Sequence, residues 1–236
     1  MDVSLDTDIT IHLYNAGKEN LLFGYFDTLY IHEFILEREI KNKSLEIYKK
    51  IKQEIEKGKI INVTQRYLID IGMKTIFEKQ LWDIKELFDF GEANAVALAT
   101  TLGISALVTD DTKPFGPHET LLNEIIEDVM PFAFYELLYL EYLKSDDAFD
   151  EFVTSYDKIN MLAYPKRPMS FLSRIKRVIS RFSNKRGVKR DVKWMMEFCE
   201  RNAIIYKDKM QILYSHLKKY EENNQQNNQQ NPKNSH

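Results

Sequence analysis

A single cysteine, Cys199, occurs in 236 residues. That excludes an internal disulfide and any zinc site built on a CxxC pair. The five histidines are scattered and never stand at i, i+4. No run of 18 or more apolar residues is present, which argues against a membrane-spanning helix and against stable membrane insertion. The opening MDVSLDTD has no basic region followed by an apolar one, so it does not read as a secretory signal. A P-loop and a G-x-G-x-x-G are both missing, as are a Ser/His/Asp or Cys/His arrangement and any internal repeat. A soluble protein of the reducing cytoplasm is the expectation, with 44% hydrophobic residues to build a core.

What the chain does have is segregated charge. Residues 1–160 carry 16 Lys and Arg against 30 Asp and Glu, a balance of -14 hidden within the net -3. Residues 161–219 carry 16 against 4, a balance of +12. Two parts with different electrostatic roles are implied.

Short apolar stretches alternate with helical ones. Val3–Asp6 and TLYIHE read as strands, KIINVT as a short strand or loop, and SALVTDD as a further strand. The segment from Glu33 to about Lys57 has Leu36, Ile40, Ile47, Ile51 and Ile55 near 3.6 spacing, which predicts one long amphipathic helix ended by Gly58. A helix through ITIHLYNAG ends near Gly17. Gly91 opens a helix of small apolar residues buried all round, and Gly103 closes it. EIIEDVMPFAFYELLYLEYL supplies a last strand and a helix. This alternation predicts an α/β domain with a parallel central sheet between helices over residues 1–145. Residues 146–220 are helical in pattern, and the polar tail 221–236 is expected to be disordered.

Three acidic positions share one structural address. Asp6 ends the first strand, Asp110 and Asp111 end the SALVT strand, and Glu92 lies in the first turn of the Ala-rich helix. In an open parallel sheet the carboxyl ends of the strands line the ligand crevice. Carboxylates converging there repel one another unless a cation lies between them, and hard oxygen ligands suit Mg²⁺ or Mn²⁺. A fourth acid is expected from the Glu33–Lys57 helix. At 100° per residue Glu37 lies near the apolar stripe and is our choice, with Glu33 and Glu39 as competitors. Each acid also has a plainer reading: Asp6 as a helix cap, Glu92 as a dipole partner, Asp110–Asp111 as turn residues, Glu37 as a solvated charge.

Two stretches carry a family likeness. LDTDITIHLYNAGKENLL resembles the opening of PIN-domain nucleases, and DFGEANAVALATTLGISALVTDD resembles their second signature. The resemblance covers about residues 1–145 and implies a PIN-like three-layer domain. It further implies a metal-dependent nuclease, most often an endoribonuclease, less often cutting DNA. By position the family's acids fall on Asp6, Glu92 and Asp110, with Asp111 and Asp8 secondary and the helix acid open between Glu37 and Glu39. The resemblance implies hydrolysis by a metal-activated water, leaving a 5′-phosphate and a 3′-hydroxyl. Where the family carries a basic or polar residue after Thr-Asp-Asp, this chain offers Lys113.

Pro165–Lys193 holds eleven Lys and Arg against one acid, Asp191. Phe171, Ile175, Val178, Ile179 and Phe182 form its apolar stripe, flanked by Arg174, Lys176, Arg177 and Arg181, with Lys185 and Arg186 beyond. Three readings stand: phosphate binding to RNA or single-stranded DNA, contact with an anionic membrane surface, or neutralisation of the acidic part within the molecule. A second helix, about Val188–Tyr220, carries a stripe through Cys199 to Leu217 for core packing, a second copy or an inhibitory protein partner. The leading expectation is an Mg²⁺/Mn²⁺-dependent endoribonuclease with a basic helical arm. The alternative is a non-catalytic module that binds nucleic acid or a protein through those helices.

Overall fold

The structure is a computed structural model and describes residues 1–109, 128–146, 148–183 and 187–230. Strand β1 (Val3–Leu5) is wholly buried, as a strand covered on both faces must be. It is joined by β2 (Leu29–His32), β3 (Ile60–Val63), β4 (Ala106–Val108) and β5 (Met130–Phe132). The order is β3-β2-β1-β4-β5 and every neighbouring pair is parallel. Val3 lies opposite both Leu29 and Ala106, and Leu5 opposite Val108. The chain builds outward from β1 to β3, then crosses over to β4 and β5. Right-handed crossovers therefore put the connecting helices on opposite faces of the sheet.

Those helices are α1 (Thr7–Ala16), α2 (Asn20–Tyr25), α3 (Lys41–Lys43), α4 (Leu45–Glu56), α5 (Gln65–Asp70), α6 (Lys74–Ile84) and α7 (Phe90–Leu102). Gly17 and Gly103 close α1 and α7 at φ 68° and 65°, the left-handed caps that a glycine supplies most cheaply. On α7 every residue from Gly91 to Ala99 is buried. Small side chains let it approach the sheet closely enough for the Ser4 hydroxyl to donate to the Ala95 carbonyl at 2.9 Å.

The long helix expected from Glu33 to Lys57 is broken. Ile35–Ile40 form a π-helical turn, α3 is a single further turn, and Ser44 is extended at φ -156°, ψ 104°. Its hydroxyl accepts from the Ile47 amide at 3.4 Å and starts α4 afresh.

The remaining helices are α8 (Phe134–Lys144), α9 (Phe149–Ala163), α10 (Phe171–Arg181), α11 (Lys189–Arg201) and α12 (Tyr206–Gln230). The chain divides into two compact units, Met1–Leu137 with Lys158–Lys166, and Leu138–Asp157 with Arg167–His236. The division thus falls within α8 and α9 and not at a single point near residue 145. The first unit holds the sheet. The second is helical, with a core in which Tyr139 stacks on Phe182 and Phe171 meets Phe152, Tyr156 and Tyr220 edge-on.

Two expectations for the second unit change. The helix read through Val188–Tyr220 is two helices, because the chain turns after Asn202 with Ala203 at φ 53°. Helix α12 also runs on to Gln230, through much of the tail expected to be disordered. Once Leu213 and Leu217 anchor it in the core, each added Glu or Gln extends the helix at little cost, since nucleation is the unfavourable step.

Candidate active site

The strand order reverses between β1 and β4, and in doubly wound sheets ligands bind at the carboxyl edge of that switch point. Asp6 follows β1 there. Its amide donates to the Val108 carbonyl at 3.0 Å, and the Thr109 hydroxyl reaches its Oδ2 at 3.3 Å. Asp6 is buried at 9% exposure, and it is the residue before α1, whose first turn contains Thr7 and Thr10. The Thr10 hydroxyl donates to the Asp6 carbonyl at 2.5 Å.

Glu39 comes to the same place from the π-helical turn. The Thr7 hydroxyl donates to its Oε2, and its carboxylate lies against Gly91 at the start of α7. A β-carbon on Gly91 would come within 2.6 Å of Glu39 Oε1, so the absent side chain makes room for the acid. Asp89 caps α7 by accepting from the Glu92 amide at 2.9 Å. Glu92 is buried at 3% exposure in the first turn of that helix.

Burial pushes the Asp6 carboxyl up to about 8. The Thr7 amide opposes that rise, while the charges of Asp8, Asp89 and Glu39 add to it. Burial removes water that would stabilise the anion, and like charges nearby raise its cost further. The set is made of hard oxygen donors, which fits Mg²⁺ or Mn²⁺, and a cation among them would reverse the penalty on Asp6. Among the described residues no group of three or more Asp, Glu, His or Cys is drawn tightly enough to hold an ion. Asp110 and Asp111, expected as further ligands, lie outside the described residues, as does Lys113.

Glu37, our sequence choice for the helix acid, is placed elsewhere. The Tyr48 hydroxyl donates to its Oε1 at 2.9 Å and Lys41 Nζ lies 3.2 Å from its Oε2; these partners hold its carboxyl below the ordinary range despite some desolvation. The wheel that selected it assumed 3.6 residues per turn. A π-helical turn closes i→i+5 and rotates every later residue backwards, which brings Glu39 to the inward side. Glu33 accepts from the Gln65 amide at 3.0 Å, and Asp8 pairs with Lys43 at 2.6 Å near the surface. Sequence reasoning also passed over Asp89, whose D-x-x-E spacing before a helix reads as a plain cap, and Phe90. The Phe90 side chain is half exposed between Asp89 and Gly91, with its ring edge-on to Phe34 at 4.6 Å.

His32, at the end of β2, is buried and stacked on Phe77 at 4.7 Å. Its Nδ1 accepts from the Phe34 amide at 3.3 Å, and burial lowers its pKa to about 4.

In the second unit the apolar stripe of α10 is buried at Phe171, Ile175, Val178 and Ile179. That face is taken up by the unit's own core, which removes the surface that the membrane reading requires. Arg181 does not belong to an exposed basic face. Its Nε donates to Asp191 at 2.6 Å, Arg190 binds the other carboxylate oxygen at 2.8 Å, and Asp191 is 1% exposed. Lys176 pairs with Glu221 at 3.1 Å on the surface, a contact of small energetic weight. Arg174 and Arg177 stand on the same helix, while Lys185 and Arg186 lie outside the described residues. No helix among the described residues is long and apolar enough to cross a membrane. Compared with family models, curated proteins and solved structures, the chain shows no match.

Proposed function

We propose that the first unit is a PIN-like, Mg²⁺- or Mn²⁺-dependent endonuclease acting on RNA. The observation that carries this reading is Asp6, buried at the β1/β4 switch point among the charges of Asp8, Asp89 and Glu39, while the Lys43 ammonium that acts on the group is paired with Asp8 near the surface. Asp6, Glu39 and Glu92 are the described residues that would hold the metal, with Asp110 and Asp111, next in sequence after Thr109, as the further ligands that the sequence suggests. Glu39 takes the place that sequence reasoning gave to Glu37. A bound divalent ion supplies a water of lowered pKa and neutralises charge on the phosphate. Thr7 and Thr109 fix the carboxylates of Glu39 and Asp6, and Gly91 keeps the entrance to α7 open. Phe90 and Phe34 offer aromatic surface beside the acids, on which an unpaired base can stack.

The test is Mn²⁺-dependent cleavage of a mixed panel of RNA and single-stranded DNA, run beside Asp6→Asn. Cleavage of RNA by the wild type that vanishes in the variant and on chelation is the expected result. Equal trace activity in both proteins would remove the catalytic reading.

A further inference from the structure

We propose that the pocket bounded by α1, α2 and α4 binds a small organic cation, its ammonium or guanidinium head held between the Tyr14 hydroxyl and the Glu19 carboxylate. The pocket has a volume of about 370 Å³ and is lined by these two residues with Phe23, Lys50, Glu54 and Lys59, among others. It shares no residue with the acids at the strand ends.

Tyr14 is 6% exposed, yet its hydroxyl finds no hydrogen-bond partner among the described residues. Glu19 Oε2 is likewise buried and unbonded. Buried polar atoms are almost always satisfied, so two such atoms lining one cavity call for a shared partner. The phenol can donate one hydrogen and accept, whereas a carboxylate only accepts. A partner that donates to both at once satisfies the pair, as an ammonium with three N–H groups or a guanidinium with five does.

Charge points the same way. Burial raises the pKa of the Tyr14 phenol, and the negative charges of Glu54 and Glu19 raise it further, so the field at this hydroxyl is negative. The lysines of the lining are engaged by other acids. Lys50 lies 2.7 Å from Glu46, and Lys59 lies 3.1 Å from Glu54, which Lys57 also contacts at 2.8 Å. The Lys50 ammonium acts on Glu19 through space but is paired with Glu46, so the Glu19 carboxylate is placed to meet an incoming cation. Phe23 already carries the Lys59 ammonium 5.1 Å above its ring, so the wall tolerates a cation against an aromatic face.

The experiment is calorimetric titration of the full chain with putrescine, spermidine, agmatine and doubly blocked arginine, with 1,4-butanediol as the neutral control. Saturable binding of at least one cation is expected, with none for the diol. Glu19→Gln and Tyr14→Phe should each weaken it about tenfold or more, while Asp6→Asn leaves it unchanged. Tighter binding of blocked arginine than of agmatine identifies a protein side chain as the source, and the reverse identifies a free amine. Circular dichroism of both variants establishes that they fold. The proposal is overturned if no cation binds saturably, if the diol binds equally well, or if both folded variants bind as the wild type does, in which case the two atoms hold an ordered water only.

Discussion

Each unit buries an aspartate, and the two are treated in opposite ways. Asp191 is clamped between Arg181 and Arg190, both contacts under 3 Å. Asp6 is nearly as deep, yet Asp8, Asp89 and Glu39 crowd it with like charge, and the Lys43 ammonium that also acts on it is paired with Asp8 at 2.6 Å. A buried carboxylate closed by arginines is complete and holds two helices in register. One surrounded by carboxylates is unfavourable as it stands and becomes favourable only when a cation arrives. The proposed function rests on this contrast.

The contrast can be broken most forcefully at Asp191. Asp191→Ala strands two partly buried guanidinium groups and should cost about 3–5 kcal/mol in urea unfolding of the second unit. A loss below about 1 kcal/mol would mean that the clamp is ornamental. At Asp6 the sign reverses. Its folded pKa of about 8 lies above the ordinary 3.8, so its contribution to stability is full below pH 3.8 and is lost as pH rises towards 8. Asp6→Asn should therefore stabilise the metal-free protein at pH 7 by roughly 4 kcal/mol. Unchanged or lowered stability of the variant would deny that the site is strained.

His32 runs the other way. With a folded pKa of about 4 against 6.5, its contribution is full above pH 6.5 and is lost as pH falls through 4, by about 3 kcal/mol. Between pH 4 and 6.5 the two slopes oppose each other. Above pH 6.5 the Asp6 slope stands alone, so chemical unfolding followed from pH 6.5 to 8 should show stability falling in wild type and flat in Asp6→Asn.

A third comparison sets Glu39 against Glu37. If the nuclease reading holds, Glu39→Gln should lower cleavage on the order of 100-fold, while Glu37→Gln leaves it close to wild type. The opposite ranking would restore the sequence choice. The smallest effect is expected at Phe90, where Phe90→Ala should raise KM for single-stranded RNA by about 1–2 kcal/mol with kcat unchanged. A fall in kcat alone would place Phe90 among the positioning residues instead.

The sheet and the placement of Asp6 and Glu92 beside it were legible in the sequence, because strands buried on both faces read as short apolar runs, as ALV does outright and VSL does with only the small Ser4 between, and because Gly17 and Gly103 mark helix ends. Glu39 was not legible. The π-helical turn that presents it depends on tertiary packing of Ile35, Leu36 and Ile40, and a regular helical wheel has no means of registering it. Nor was the fate of Arg181, since a basic run looks the same whether its arginines face solvent or close on Asp191. The stripe of α10 was legible residue by residue, but what it packs against was not. Periodicity reports that a face is buried and says nothing of its partner.

The central claim is that the acids at the β1/β4 edge await a divalent cation. Titration of the metal-free protein with Mn²⁺ at pH 7, followed by thermal unfolding, tests it most directly. Wild type should rise by about 2–3 kcal/mol at a hundredfold excess over Kd, while Asp6→Asn starts higher and does not respond. An equal response in both proteins, or none in either, would contradict the account.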